Sequence, residues 1–462
     1  MTSPRLGLQK ADCHLTEHHR VRSLRKKRDR SLLVATCLVV IATIAPAAAE
    51  TPFSLLYSLI SPITNGNSAH WGANVAVDTN FAVVTGRYFE NSPGCDRVTV
   101  YNPTNGASLY TMANPGQHSS FGSSVAVSGS KVFVADFDSH PGNGEGCVYV
   151  YDLSWIKPTA PVLRVSLWAR IDSVAASGNY LAIRSYFYTY VYDLSSAAPT
   201  SPVLTIASEP SFSDRTGVAL AISGTRLVVG SGEYSLNTNA GSAYVYDLTS
   251  STPSIPVFTL QSPAPAARDF FGGSVAISGN RVVVGMDRGG TNVAGTLGGA
   301  AYVYDLASAT PSSPVATLTS PNSSWGDYFG YSVGISGTRV VVGAFYDDTG
   351  ASNSGSAYVY DLSSATPAIP VTTLNNPTPA KQDQFGQVVA IAGVRVVIGA
   401  PEHDMVTTNA GSAYLYDVAA VQPALPIARL DPGPAPGFAG LGQSVAISGT
   451  RVVAAAPGEA SA

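Results

Sequence analysis

Short apolar runs of four to six residues alternate with polar turns along almost the whole chain after residue 70. The runs are rich in valine, isoleucine and tyrosine, and glycine, proline, asparagine and serine separate them. β-Branched and aromatic residues favour extended strands, whereas the separating residues favour turns. This region contains no run with apolar residues at helical spacing. The pattern therefore predicts an all-β protein built from many short strands.

A nine-residue pattern recurs eight times, and its clearest form is the sequence FGGSVAISG. Each copy begins with an aromatic–glycine pair or a weaker version of it, and successive copies are 46 to 58 residues apart. A period near 50 residues is typical of a propeller or solenoid unit. The copies, called anchors below, occupy residues 71–79, 121–129, 170–178, 216–224, 271–279, 329–337, 385–393 and 441–449.

Four strands are predicted in each repeat unit. The anchor is followed by a run such as VVVG, a variable loop, a run such as GSAYVYDL, and a proline-rich turn that leads into a run such as PVATL. Within AYVYD, Tyr302 and Tyr304 point to one side of the strand and Val303 to the other. A small sheet with two apolar faces needs a neighbour on each side. The units therefore predict four-stranded antiparallel blades arranged radially, which is a β-propeller.

The number of blades stays open between seven and eight. There are eight anchors but only seven runs of the YVYD type, and the last unit is incomplete because the chain stops soon after its second strand, at residues 451–454. Residues 55–60 resemble the fourth strand of the other units and would complete a three-stranded eighth blade. Alternatively seven blades close, and the last unit is an overhang or a truncation.

The charge distribution argues against nucleic acid as a partner. The chain has a net charge of −4, but residues 1–49 carry nine basic and three acidic residues. The remainder has 17 basic and 27 acidic residues and a net charge of −10. An acidic protein is repelled by phosphate backbones and by anionic membrane surfaces.

The N-terminal 49 residues have the order of a secretory signal. A basic run at residues 22–30 precedes an apolar stretch, which ends in Ala47, Ala48 and Ala49. We predict a signal peptide at residues 1–49 and a propeller at residues 50–462, in a protein that is secreted or held at the cell envelope or cell surface. A retained anchor is the alternative to cleavage. No later segment is long and apolar enough to span a membrane.

Two cysteines, Cys95 and Cys147, remain after the predicted signal. Both lie just before or at the start of equivalent strands in consecutive units, and disulfides persist in oxidising compartments. A Cys95–Cys147 disulfide is therefore one prediction, and two independent thiols are the other.

The repeat unit resembles a known family. The aromatic–glycine anchor, the VVVGA run and the GSAYVYDL strand are similar to FG-GAP repeats, the blades of integrin-α-type β-propellers, over about residues 55–458. The GAP element is kept at Gly399, Ala400 and Pro401 and is looser in the other units. This resemblance implies a β-propeller that binds a ligand through loops.

The resemblance also implies calcium, because such blades often carry a loop of alternating carboxylates between the second and third strands. The candidates here are Asp136 and Asp138 in the second unit and Asp347 and Asp348 in the sixth. His140 stands where the pattern requires another oxygen ligand, and none of the loops matches the pattern fully. Solvated acidic loops without a metal are the alternative.

No catalytic motif is present, so we predict a protein that is not an enzyme. By resemblance it is an extracellular or cell-envelope binding or adhesion module for a protein or glycan. The alternatives are a propeller hydrolase or lyase that acts on polysaccharide and a structural spacer of a surface layer. Tyr186, Phe187 and Tyr188 either form a platform for sugar stacking or pack between blades. Aromatic and polar residues concentrated on one face would favour the binding module over the spacer.

Overall fold

The structure is a computed structural model that shows an all-β protein, as the sequence predicts. The residues that it describes are 38–43, 57–60, 69–88, 96–115, 120–140, 145–185, 188–207, 219–232, 240–266, 269–288, 298–404, 410–431 and 440–456. The chain divides into two units, residues 1–34 and 35–462, and every described residue belongs to the second. The described ranges contain strands and turns but no helix, and so no helix long and apolar enough to cross a membrane.

Two N-terminal strands, β1 (Leu38–Thr43) and β2 (Tyr57–Ile60), precede seven four-stranded antiparallel sheets, each formed by consecutive strands of one repeat unit. The first strand of each sheet lies within the anchor or overlaps it. The sheets, numbered like the units, contain these strands in order: first, β3 (Ala69–Val77), β4 (Ala82–Tyr88), β5 (Arg97–Tyr101) and β6 (Ser108–Ala113); second, β7 (Phe121–Ser128), β8 (Lys131–His140), β9 (Glu145–Asp152) and β10 (Leu163–Leu167); third, β11 (Ile171–Ser177), β12 (Tyr180–Ser185), β13 (Tyr188–Asp193) and β14 (Leu204–Ala207); fourth, β15 (Leu220–Ser223), β16 (Arg226–Ser231), β17 (Ser242–Asp247) and β18 (Phe258–Leu260).

The remaining sheets follow the same plan. They contain: fifth, β19 (Ser274–Ser278), β20 (Arg281–Met286), β21 (Ala300–Asp305) and β22 (Ala316–Leu318); sixth, β23 (Ser332–Ser336), β24 (Arg339–Ala344), β25 (Ser356–Asp361) and β26 (Thr372–Asn375); seventh, β27 (Val388–Ala392), β28 (Arg395–Ala400), β29 (Ser412–Asp417) and β30 (Pro426–Leu430). The third unit, whose anchor lacks the aromatic–glycine pair, still forms a complete sheet, in which Ile171 is buried.

The last unit supplies only two strands of an eighth sheet, β31 (Ser444–Ser448) and β32 (Arg451–Ala455). Its strand order is β2–β1–β32–β31, so β1 pairs with β32 and β2 pairs with β1. The prediction of a three-stranded eighth blade is therefore wrong in strand number, because β1 fills the position between β32 and β2. The amide of Val75 donates to Ser444 Oγ (3.3 Å) and joins the first and eighth sheets. Since β1 lies within the predicted signal, removal of that segment stays a prediction.

Neighbouring sheets bury the valine side of one blade against the aromatic side of the next. Val283 and Val303 of the fifth sheet share one core cluster with Phe329, Tyr358 and Tyr360 of the sixth. The Phe329 ring lies 5.5 Å from Tyr358 and 6.3 Å from Tyr360, with tilted and edge-on geometry respectively, between centroids. Such pairs add stability beyond the apolar area they bury. The predicted alternation of tyrosine and valine along the third strand is thus what allows each blade to pack on both sides.

The glycines of the motif lie where two backbones approach closely. Gly343, at the end of VVVG in the sixth sheet, lies against the carbonyl oxygen of Gly386, the anchor glycine of the seventh unit. A Cβ atom on Gly343 would overlap that oxygen. The same contact recurs between Gly230 and Gly272, Gly285 and Gly330, and Gly399 and Gly442. These glycines therefore allow successive blades to meet through their backbones.

The aspartate that ends each YVYD strand caps the turn that follows. Asp361 Oδ1 accepts hydrogen bonds from the amide (2.9 Å) and the hydroxyl (2.6 Å) of Ser363. These bonds hold the pKa of the Asp361 carboxyl below its usual value. The equivalent bonds from a backbone amide two residues later are made to Asp152, Asp193, Asp247, Asp305 and Asp417.

Two equivalent tyrosines provide a test of the hydrogen bonds between blades. The Tyr360 hydroxyl donates to the carbonyl of Thr319 in the preceding unit (2.8 Å), whereas the buried Tyr416 hydroxyl has no partner in the described ranges. We expect Tyr360→Phe to lower the free energy of unfolding by about 1 kcal/mol and Tyr416→Phe to change it by less than about half of that. Denaturant titrations of both variants check this, and equal losses would contradict it.

Candidate functional site

Exposed aromatic residues concentrate on one side of the propeller, at the ends of the strands, which we call the loop face. On this face the first strand of each sheet begins and the second strand ends. It carries Trp168, Tyr188, Trp325 and Tyr331, which are all exposed. Among the residues that the structure describes, the large exposed side chains on the opposite side are mainly aliphatic, with one aromatic exception, Trp155. Unequal chemistry of the two faces favours a binding role over a structural spacer.

The densest aromatic group on the loop face lies where the fifth and sixth sheets meet. We call this group, formed by Phe270, Tyr328, Tyr331, Phe345 and Tyr346, the aromatic site. The Phe345 ring is 4.5 Å from Tyr331, 4.2 Å from Tyr346 and 5.3 Å from Tyr328, measured between centroids. Phe345 is buried, while Tyr331 is 43% exposed. The buried ring thus supports an aromatic surface that faces solvent.

Two members of the aromatic site have strained backbones. Phe270 and Tyr328, the residues directly before the anchor aromatics, have φ of 59° and 56°. The left-handed region is uncommon for bulky residues, and the eighth unit has Gly440 with φ 61° at the equivalent position. Strain of this kind, about 1–3 kcal/mol, tends to cluster at functional sites. Gln384 of the seventh unit has the same conformation (φ 56°), so the strain belongs to the repeat, and the fifth and sixth units differ in placing aromatic side chains at this position.

Asp287 and Arg288 bring charge to the aromatic site. The Arg288 guanidinium carbon lies 4.4 Å above the Phe270 ring and 5.6 Å above the Tyr328 ring, at cation–π distance. Asp287 Oδ1 is buried and has no hydrogen-bond partner among the residues described. Burial raises the pKa of the Asp287 carboxyl to about 6, although the charge of Arg288 opposes the rise. Burial raises the pKa of Tyr331, and the charge of Asp287 raises it further. The charge of Asp287 therefore acts on the exposed Tyr331 ring.

A buried carboxyl anchors the loop that carries Tyr328. Asp327 is 3% exposed, and its Oδ2 accepts a hydrogen bond from the amide of Ser324 (2.6 Å). Burial raises the pKa of Asp327 to about 6; the bond from Ser324 lowers it, and the charges of Asp347 and Asp348 raise it further. The loop that carries Tyr328 is therefore held by a buried carboxyl that ionises less readily than usual and that feels the charge of two further carboxylates.

This raised pKa predicts how stability depends on pH. A carboxyl with a folded-state pKa near 6 ionises earlier in the unfolded chain, whose usual value is 3.8. Unfolding is therefore favoured as the pH rises from about 4 to 6, by about 1–3 kcal/mol. We expect Asp327→Asn, whose amide oxygen can still accept the Ser324 bond, to be more stable relative to wild type at pH 7 than at pH 4.5. Melting curves at both values test this, and a constant difference would contradict it.

The calcium candidates lie apart and are engaged in other contacts. Asp347 accepts hydrogen bonds from the Tyr358 hydroxyl (2.5 Å) and the Thr349 amide (2.8 Å), and Asp348 accepts one from the amide of Asn353 (2.8 Å). Asp136 is buried in β8; the side chain of Asp138 lies outside the described part. Within the described ranges, no group of three or more His, Cys, Asp or Glu residues could hold a metal ion. Calcium binding at these residues stays a prediction.

The other predicted residues are only partly described. Cys147 is buried, with Arg164 Nη2 3.0 Å from its Sγ, and Cys95 lies outside the described residues. The disulfide therefore stays a prediction. Tyr186 and Phe187 also lie outside the description, whereas Tyr188 is exposed on the loop face and its ring is 5.8 Å from Tyr190.

The aromatic site was not predicted from the sequence. The available signal was a departure from the repeat: the sixth unit has Phe345 and Tyr346 where the seventh has Pro401 and Glu402. A second signal was an aromatic residue, Tyr328, directly before the anchor. Neither signal points to a site alone, because the rings meet only when two sheets pack.

Comparison with known proteins agrees with this architecture. The FG-GAP repeat family matches residues 205–246, 260–304, 313–360 and 375–416. Among solved structures, the complex of KlAtg21 with the coiled-coil of AgAtg16 has a TM-score of 0.51 at 12% identity, covering 78% of this chain and 98% of that one. KlHsv2 with loop 6CD replaced by a Gly-Ser linker has a TM-score of 0.47 at 11% identity, with 75% and 92% covered. Hsv2 of Kluyvelomyces marxianus has a TM-score of 0.45 at 11% identity, with 76% and 93% covered.

These structures are similar in fold alone, and a search of curated proteins finds no significant match. The family resemblance therefore depends on the four matched repeats together with the propeller that they help to build. On this evidence the chain contains FG-GAP repeats between residues 205 and 416 and has a β-propeller fold.

Proposed function

We propose that the protein is an exported, non-catalytic binding module that acts outside the cell or at its envelope and binds a glycan at the aromatic site. The observation that carries the proposal is the exposed Tyr331 ring, supported from behind by Phe345 and flanked by Tyr346. Export depends on the predicted signal at residues 1–49.

The aromatic site has the chemistry that sugar binding requires. A pyranose ring has an apolar C–H face that can cover an aromatic ring and remove apolar surface from water, at about 25 cal/mol per Å². Its hydroxyl groups need a few polar partners, as ligands of mostly apolar sites do. Asp287 and Arg288 supply an acceptor and a donor, and Trp325, 83% exposed on the same face, supplies a further apolar surface.

The fold supports binding but does not identify the ligand. A propeller holds variable loops on a rigid scaffold, which is a common geometry for recognition. Because fold does not determine function, the proposal depends on the residues of the site. A protein ligand would use the same exposed rings, and the binding experiment below decides between the two.

A polysaccharide hydrolase is the alternative that one observation favours. The carboxyl of Asp287 has a pKa of about 6 beside an aromatic surface, as a general acid needs. Hydrolysis of a glycosidic bond also requires a second carboxylate on the other side of that bond. Release of reducing ends from a bound glycan would support this alternative, and binding without release supports the binding module.

The test compares two exposed aromatic residues on opposite faces. We expect Tyr331→Ala to weaken binding to the best ligand of a glycan array by roughly tenfold or more, because it removes the stacking surface. The matched variant Trp155→Ala, on the opposite face, should bind like wild type. Equal losses in both variants, or an array without a single bound glycan, would contradict the proposal.

A further inference from the structure

We infer that the aromatic site selects glycans with free amino groups, whose ammonium group lies against the tyrosine rings and is hydrogen-bonded by the Asp287 carboxylate. This inference rests on the proposed glycan-binding function and names the chemical class of its ligand. It is carried by three features of the site: its charge, its ring faces and one unsatisfied oxygen.

The balance of charge around the site is negative. Asp287, Asp327, Asp347 and Asp348 influence the aromatic site or its loop, and Arg288 is the one basic residue among these interactions. Partly desolvated charges are weakly screened, so an excess of carboxylates draws cations and repels anions. A ligand with carboxylate or sulfate groups would therefore be disfavoured, and a cationic one favoured.

The rings already accept a cation within the protein. Arg288 lies above Phe270 and Tyr328, on the fifth-sheet side of the site. The rings of Tyr331, Phe345 and Tyr346 form the sixth-sheet side. Their faces carry the same negative quadrupole, which attracts ammonium groups. The rings on the exposed side of the site can therefore bind a ligand cation in the same way that Phe270 and Tyr328 bind Arg288.

The unsatisfied oxygen explains why the cation should also be a hydrogen-bond donor. Asp287 Oδ1 is buried without a partner in the described ranges, and leaving a buried acceptor unpaired costs about 1–3 kcal/mol, and more for a charged group. Asp287 as a residue is partly exposed, so a small movement of its side chain would bring the carboxylate against a ligand ammonium group, which would pair it through a charge-assisted bond. A neutral acetamido group on the same sugar adds no charge and needs more space.

A sugar fits the site better than a lysine side chain. The backbone of Gly330, directly before Tyr331, lies against the amide of Met286, directly before Asp287, so the acceptor and the stacking surface are close together. An amino sugar carries its amine directly on the rigid ring that stacks, whereas lysine carries it on a flexible stem that loses rotamer freedom on binding.

The experiment uses two glycans that differ only in the amine. The full chain is titrated calorimetrically, slightly above pH 6, with oligomers of glucosamine and of N-acetylglucosamine of equal length. We expect the glucosamine oligomer to bind roughly tenfold more tightly. Asp287→Asn should abolish this preference, because its neutral amide lacks the charge. Asp305→Asn removes an equal charge at the opposite end of its blade, where the amide can still cap the turn, and should keep the preference.

Each outcome decides a separate point. Equal affinity for the two oligomers, with both weakened by Tyr331→Ala, overturns the amine selectivity and leaves the proposed glycan binding intact. Binding of a lysine-rich peptide that requires Asp287, without binding of either oligomer, overturns the amine-glycan inference in favour of a protein ligand. Loss of the preference in both Asp287→Asn and Asp305→Asn shows that overall charge, and not this carboxylate, selects the ligand.

Discussion

Gly343→Ala is expected to destabilise the protein by about 3 kcal/mol or more, although it adds a single methyl group. The new Cβ would overlap the carbonyl oxygen of Gly386 in the next blade. That oxygen also accepts the Ser332 hydroxyl (2.8 Å), so it cannot move away without loss. Overpacking of a close backbone contact forces the two sheets apart and weakens the core between them. Chemical denaturation of the purified variant measures the effect.

Gly337→Ala is the matched control for this substitution. Gly337 has φ 61° in the turn between the first two strands, and a Cβ there would meet nothing within 4 Å. Alanine at this position costs only the strain of a left-handed backbone, about 1–2 kcal/mol. If Gly343→Ala were as mild as Gly337→Ala, the close contact between blades would not be the reason for glycine in the VVVG motif.

Removal of residues 1–49 is expected to destabilise the propeller more than removal of residues 1–34. The shorter deletion leaves every described strand, whereas the longer one removes β1, which pairs with β32 over five positions and with β2 over four. Ladder hydrogen bonds contribute about 1 kcal/mol each, so the loss amounts to several kcal/mol. It also exposes the edge of β32, and exposed edges promote association. Melting temperature and light scattering of both truncations test this.

The stability of the two truncations also indicates whether the N-terminal segment can be cleaved from a stable protein. If the two truncations melt together and stay monomeric, β1 is dispensable and cleavage after Ala49 is compatible with a stable protein. If the longer truncation is unstable, a stable exported protein requires either that the segment is retained or that another strand pairs with β32. Mass measurement of the N-terminus of the exported protein decides between cleavage and retention.

The strands and the blade plan could be predicted from the sequence because their causes are local. Alternation of tyrosine and valine in runs such as 300–305 determines which side chains share a face, and the aspartate and glycine that border each run determine its turns. Because the anchor occurs eight times, the same strands and turns are predicted in each unit. Even the third unit, with Ile171 in place of the anchor glycine, formed a complete sheet, because its other strands kept the alternation.

The candidate site could not be predicted because its residues come from different strands and units. Phe270 and Asp287 belong to the fifth unit, and Tyr331 and Phe345 to the sixth, about 75 residues apart at the extremes. The raised pKa of Asp287 depends on burial, which no local pattern reports. The calcium prediction shows the converse: the Asp347–Asp348 pair is visible in sequence, but its oxygens accept donors that only the packed loop supplies.

The amino-acid sequence by itself thus determined the strands, their faces, the repeat and the radial architecture, since side-chain alternation and turn chemistry act over a few residues. The tertiary structure alone decided three things: that β1 completes the eighth sheet, that glycines meet between blades, and that aromatic rings gather around Phe345. Each of these depends on contacts between segments distant in the chain, whose formation is governed by packing and desolvation rather than by local preference.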